Sequence, residues 1–308
     1  MNAVVHFLNS LFRTFFFGNY FYGLCAVALS MEAMIQMGRK PAPPAYLLIV
    51  FSVTVYYYTL AYLKTDQQPD RHNLRAIWYS THRRFISLSQ FVILSVLLYL
   101  IVVFVIEHGQ VLIHFTRLEW LLVLVFPWMA LVYYGIPFPP FAKYNLRTIG
   151  WIKPLVIGFS WAGAVTIYPL LYQGAQTGEH FQPNAFLGFL FLKNLMFVTM
   201  LCIMFDIKDY AMDYNQALKT WVVRLGLRKT IFYILLPLGI AGLLSYLGYA
   251  LLHGFTVWRM VWNTVPFVAA LAVAYSLHNR KAIFYYLVII DGLMLLKALC
   301  GYIGMISI

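Results

Sequence analysis

Nine long, mainly apolar runs dominate this 308-residue sequence, at about Phe15–Met34, Pro44–Leu63, Phe85–Ile106, Leu118–Tyr134, Trp151–Tyr172, Ala185–Phe205, Thr230–Leu252, Val261–Tyr275 and Ala282–Ile306. A helix crosses the ~30 Å hydrocarbon core of a bilayer with about 20 such residues. A strand of a membrane barrel needs only about 10, with alternating polarity. These runs are too long and too continuously apolar for that. Only 10% of the residues are charged, against about 25% in an average soluble domain. A chain that is 62% hydrophobic cannot cover itself with a water-soluble shell from so few charges. The same composition excludes a disordered chain, which would collapse or insert. The expectation is an all-α polytopic membrane protein, with residues 1–308 forming one transmembrane domain.

The formal net charge of +12 could suggest a nucleic-acid partner, but the distribution of the cations argues otherwise. The loops after the second, fourth, sixth and eighth runs carry Lys64, Arg71, Arg75, Arg83 and Arg84; Lys143, Arg147 and Lys153; Lys208, Lys219, Arg224, Arg228 and Lys229; and Arg280 and Lys281. Arg13 precedes the first run. The opposite side holds Arg39, Lys40, Arg117 and Arg259. Basic residues gather on the cytoplasmic side of membrane proteins, so this asymmetry places the N-terminus and the even loops in the cytoplasm. Topology accounts for the charge, and no nucleic acid is required. The layout fits a bacterial inner membrane. No small-residue cleavage site follows the first run, which contains Glu32, so it reads as a retained span. Cys25, Cys202 and Cys300 all lie in apolar runs, without the spacing of a metal or disulfide motif.

Chemistry concentrates in Phe205–Asp213, where Asp206, Asp209 and Asp213 fall within eight positions. On a continuing helix, spacings of three and four bring these carboxylates onto one face, where like charges repel. A hard divalent cation relieves that repulsion, and magnesium favours one or two carboxylates plus phosphate oxygens. Lys219 and Arg224 follow as donors suited to phosphate. The plainer reading is a solvated loop whose acids balance nearby lysines.

The run FDIKDYAMDYNQALKTWVVRLG, Phe205–Gly226, resembles the second aspartate-rich motif of the UbiA family of intramembrane prenyltransferases. That motif reads D-x-x-D-x-x-x-D, then a basic-threonine step and an apolar run ending in Leu-Gly. Asp206, Asp209 and Asp213, then Lys219-Thr220, then Arg224-Leu225-Gly226, stand in those places. The resemblance implies a bundle of about nine transmembrane helices whose central cavity opens to cytoplasmic loops. It also implies magnesium as cofactor, a prenyl diphosphate and a lipid-soluble or aromatic acceptor as substrates, and transfer of the prenyl group between them.

The family's first motif, N-D-x-x-D-x-x-x-D, aligns with Tyr58–Asp66, where Tyr58, Thr59 and Tyr62 replace its asparagine and two of its aspartates. Asp66 alone keeps its place. Asp70, four residues on, shares a face with it only if helix continues through Pro69, and proline disfavours helix at the residue before it. A single magnesium, recruitment of Asp70, or isoprenoid binding without catalysis are the alternatives this leaves. The resemblance makes Asp206, Asp209, Asp213 and Asp66 the catalytic candidates, and adds Asp70 to them as metal ligands. Lys219, Arg224, Arg75, Asn73, Tyr58 and Tyr62 become the candidates for substrate contact.

Ionisable groups inside spans are costly and face partners or cavities. Lys193, Asp291 and Lys297 qualify. Asp291 and Lys297 are about 240° apart around a helix, so Asp291 is expected to pair with Lys193 instead. A transporter built on that charge pair is a third functional reading, but the paired Gly/Pro interruptions of such folds are not evident. The orientation is testable by thiol labelling in a variant with the three native cysteines replaced by alanine. Gln176→Cys should react with an impermeant maleimide in intact cells, and Asn215→Cys only after lysis; the reverse pattern would invert the topology.

Overall fold

A computed structural model describes residues 2–63, 74–134, 149–215 and 217–306, and all the regular structure among them is helical. In chain order the helices are α1 (Asn2–Phe17), α2 (Tyr20–Gln36), α3 (Pro44–Leu63), α4 (Leu74–Thr81), α5 (Arg83–Ile113), α6 (Arg117–Tyr134), α7 (Lys153–Ala162), α8 (Tyr168–Thr177) and α9 (Ala185–Lys208). The short helices α10 (Tyr210–Asn215), α11 (Trp221–Leu225) and α12 (Leu227–Thr230) lead to α13 (Leu236–Leu252), α14 (Val257–Ser276) and α15 (Gly292–Ile306). Each of the nine apolar runs falls on helix. Six helices among the described residues are long and apolar enough to cross a membrane: Arg83–Ile113, Lys153–Thr177, Ala185–Lys208, Leu227–Leu252, Val257–Ser276 and Tyr285–Ile306. A seventh arises if Leu8–Phe17 and Tyr20–Gln36, bent by 63°, count as one span. Six or seven of the nine expected runs therefore qualify by length and apolarity.

The starts of these helices are written in the sequence. Thr116 and Glu119 form a capping box at α6: Glu119 N donates to Thr116 Oγ1 at 3.3 Å and Thr116 N donates to Glu119 Oε2 at 2.6 Å. This satisfies two backbone donors that a helix start leaves open. Asn184 caps α9 by accepting from Leu187 N at 2.8 Å, and Thr256 caps α14. Proline shapes two of the spans. Pro169 and Pro237 lack an N–H, and their rings would strike the carbonyl four residues earlier in a regular helix. Those residues, Val165 and Tyr233, lie inside π-helical turns at Gly163–Ile167 and Ile231–Leu235, whose wider turns accommodate the break.

Contacts sort the chain into two compact units, Met1–Val27 with Ala42–His114, and Ala28–Pro41 with Phe115–Ile308. In the first, α3 packs on α5, and α5 leaves Leu88, Phe91, Tyr99, Val102 and Ile106 exposed. An apolar surface of that extent calls for lipid rather than water. At the break between α1 and α2, Asn19 adopts φ +67°, a left-handed conformation that asparagine tolerates better than most residues.

In the second unit α7 packs along α9, and α14 packs against both α13 and α15. Its interior contains a polar chain. Lys297 Nζ donates to Glu32 Oε2 at 2.9 Å, and Glu32 Oε1 accepts from Gln36 Nε2. Gln36 Nε2 also donates to Asn263 Oδ1 at 2.9 Å, which accepts from Lys193 Nζ at 2.7 Å. Gly301 makes this possible: a Cβ there would lie 2.5 Å from the Glu32 side chain. Lys193 therefore meets Asn263 and not Asp291. Asp291 is buried near Cys202, two and a half turns of α9 away from Lys193, about 13 Å. Removing one partner of a buried pair leaves an uncompensated charge at a cost of about 3–5 kcal/mol, whereas an apolar replacement of both is close to neutral. Lys297→Met should accordingly lower the melting temperature in detergent sharply, and adding Glu32→Gln should restore most of the loss.

Candidate functional site

The aspartates lie at the end of α9 in the second unit. Asp206 is in its last turns, fully buried; Asp209 is its C-cap; Asp213 is buried in α10. Helix α9 does not run on through all three as one rod. It stops at Lys208, and the chain restarts at Tyr210, with Asp213 N donating to Asp209 O at 2.9 Å. The loop then closes on itself as Leu218 N donates to Asp213 O at 2.9 Å, and Thr220 caps α11.

Lys153, at the first turn of α7, donates Nζ to Asp206 Oδ1 at 2.7 Å. The sequence offered Lys153 only as a topology marker, so this contact was missed. It arises from the packing of α7 along α9, beside which loops 149–152 and 217–221 meet, and the sequence does not display that packing. Gly150 permits their approach: a Cβ there would sit 2.5 Å from Thr220 N and 2.7 Å from Lys219 C. Trp151 and Trp221 meet edge to face across the same seam, centroids 6.1 Å apart. Asp209 and Asp213 both act electrostatically on Asp206, so the acids form a field, with Lys153 set against it. Asp209 is drawn to its neighbour Lys208, with 2.5 Å between Nζ and Oδ1. Lys219 and Arg224, expected as phosphate donors, are exposed on the adjoining loop and α11.

Of the remaining candidates, Tyr58, Tyr62 and Arg75 lie in the first unit, where they make internal contacts. Tyr58 stacks on Tyr22 at 4.8 Å, and Tyr62 stacks on Tyr79 at 4.6 Å. Thr59 Oγ1 accepts from Asn19 Nδ2 at 3.0 Å. Arg75 is buried; its Nε and Nη2 donate to Phe17 O at 3.2 and 3.0 Å, Nη2 also donates to Asn19 Oδ1, and the guanidinium lies 4.4 Å from the Tyr62 ring centroid. Tyr79 donates its hydroxyl to the same Phe17 O at 2.9 Å, and burial raises its pKa. These bonds satisfy the Phe17 carbonyl left open where α1 ends and clamp the bend into α2. Asp66, Asp70 and Asn73 lie outside the described residues.

Among the described residues no three Asp, Glu, His or Cys side chains come together to hold a metal ion. Those residues by themselves form no all-protein magnesium cage. Magnesium shared with a diphosphate asks for less, one or two carboxylates plus phosphate oxygens. Asp206 fits that requirement: Oδ2 is buried and accepts no hydrogen bond from the described residues, and Asp213 is close enough to act on it. No protein-family model, curated protein or solved structure matches this chain.

Truncating a buried, multiply bonded cation typically costs a few kcal/mol. Arg75→Ala should therefore lower stability by about 2–4 kcal/mol in an unfolding assay. An unchanged melting curve would mean that the clamp carries no stability.

Proposed function

We propose that this integral membrane protein is an intramembrane prenyltransferase that takes a prenyl diphosphate and a lipid-soluble or aromatic acceptor. The observation that carries the reading is the buried Asp206 carboxylate, with one oxygen on Lys153 and the other without a donor among the described residues, in a run whose spacing resembles the UbiA motif. The proposal includes nine crossings, a cytoplasmic N-terminus and a bacterial inner membrane as the finer form of the fold. The prenyl chain remains in lipid while its diphosphate meets the aspartate-bearing end of α9.

Asp206 and Asp213 would hold magnesium together with the diphosphate, and Asp209 would add to the negative field. The ion supplies Lewis acidity, offsetting charge on the leaving diphosphate. Lys153 fixes the Asp206 carboxylate so that Oδ2 remains available. Lys219 and Arg224, exposed beside it, supply cations to phosphate oxygens as they leave. Packing of α7 along α9, and of loop 149–152 on residues 219–221, holds these groups in one place, which limits reorganisation during transfer.

A second reading, isoprenoid binding without transfer, is favoured by the engagement of Tyr58, Thr59 and Tyr62 in internal contacts at positions where the resemblance expects metal donors. Equilibrium binding of geranylgeranyl diphosphate to the purified protein separates the possibilities. Binding should require magnesium and weaken at least about tenfold, ~1.4 kcal/mol, in Asp206→Asn and Asp213→Asn, with melting curves confirming that both fold. Binding that ignores magnesium and both substitutions sinks the reading. Magnesium-dependent binding with no diphosphate released in the presence of membrane-extracted acceptors selects the second.

A further inference from the structure

Between Asp213 and Asp291 the sequence has no Asp or Glu, yet it holds seven Lys and Arg residues. Lys219 and Arg224 flank the aspartate site, Arg259 lies against the Phe255 ring and Lys281 over Tyr285. The other three, Arg228, Lys229 and Arg280, are exposed, and their side chains have no hydrogen-bond or ion-pair partner among the described residues. Arg228 and Lys229 stand where the Leu227–Leu252 span begins, and Arg280 stands just past the end of Val257–Ser276. A short connection, 253–256, joins α13 to α14, and the two helices pack together, so they run antiparallel. Phe232 and Tyr275 meet edge to face across the pair, ring centroids 6.2 Å apart. Lys229 comes one turn before Phe232, and Arg280 follows Tyr275 by five residues. The three cations therefore crown one end of the α13–α14 seam.

Below them the seam is apolar and open. Tyr233, Ile240 and Leu244 are exposed on one helix, and Val265, Val268 and Tyr275 on the other. Their spacings of three, four and seven keep each trio on one helical face. Exposed apolar stripes of this kind on a membrane-embedded helix face acyl chains. Tyr233 and Tyr275, rings with a polar tip close to the cations, mark the headgroup level. The stripes alone would accept any lipid; the cations select the headgroup. Sidedness of Lys and Arg explains why cations lie at this end. It does not ask for three of them on one seam without a counter-charge. Basic clusters between helices at the interface bind anionic lipid headgroups, and a zwitterionic headgroup brings a cation of its own.

We propose that the α13–α14 seam binds an anionic phospholipid, with its phosphate on Arg228, Lys229 and Arg280 and its acyl chains along the two stripes. This site does not depend on the diphosphate role given to Lys219 and Arg224. The test places full-length protein with a trace of photoreactive phosphatidylglycerol in nanodiscs of either phosphatidylcholine or phosphatidylglycerol. In phosphatidylcholine the label should map to peptides covering 227–244 and 265–281, and the phosphatidylglycerol host should lower it at least about tenfold. Replacing Arg228, Lys229 and Arg280 together by glutamine should bring the two hosts to within about twofold. The melting curve should not change, because all three side chains are exposed. Inorganic diphosphate added to the phosphatidylcholine nanodiscs should leave the label in place. Equal labelling of the unsubstituted protein in both hosts overturns the proposal. So does a host difference that survives the triple substitution, label found chiefly on α5, or displacement by inorganic diphosphate, which would assign the cations to free phosphate instead.

Discussion

A bilayer core contains no water to accept a backbone or side-chain hydrogen bond, and the rest of this structure follows from that shortage. Helix is the answer for the backbone. Where proline removes a bond, at Pro169 and Pro237, the helix widens into a π turn rather than ending. Where a charge enters the core, it finds a counter-charge or an amide. Glu32 is matched by Lys297, Lys193 by Asn263, and Asn194 donates to Thr166 Oγ1 at 2.8 Å. The same rule governs the first unit, in which Arg75 and Tyr79 satisfy the Phe17 carbonyl at a helix end.

Helix α9 organises the second unit. It carries Lys193 and Asn194 toward one end and Asp206 at the other; Lys193 faces α14, while Asn194 and Asp206 both face the Lys153–Thr177 span. Separation of about 20 Å along the axis allows two chemically opposite environments on one rod. One is acidic and compensated by Lys153. The other is cationic.

The aspartate cluster was legible because spacing along one chain segment determines which side chains can meet. Its burial was not legible, nor was its compensation. Three carboxylates in eight residues read equally well as a solvated loop, and Lys153 read as a cytoplasmic charge. The packing of α7 along α9 joins them. Tyr58 and Tyr62 show the converse. Their place in a degenerate motif suggested substrate contact, and the structure gives them aromatic partners from α2 and α4.

The sequence by itself determined that this chain is helical and membrane-embedded, where its helices fall, and where several begin, because hydropathy and capping act over a few neighbouring residues. It also showed that an ionisable group inside a span must have a partner. Which partner was decided by tertiary structure. Asp291 looked right for Lys193 by charge, but helix packing put Asn263 beside Lys193 and brought Glu32 to Lys297 across 265 positions of sequence. The physical reason is that helical periodicity fixes the face of one helix, while the neighbour that face meets depends on the packing of all the others, down to a glycine such as Gly301 that lets a carboxylate pass.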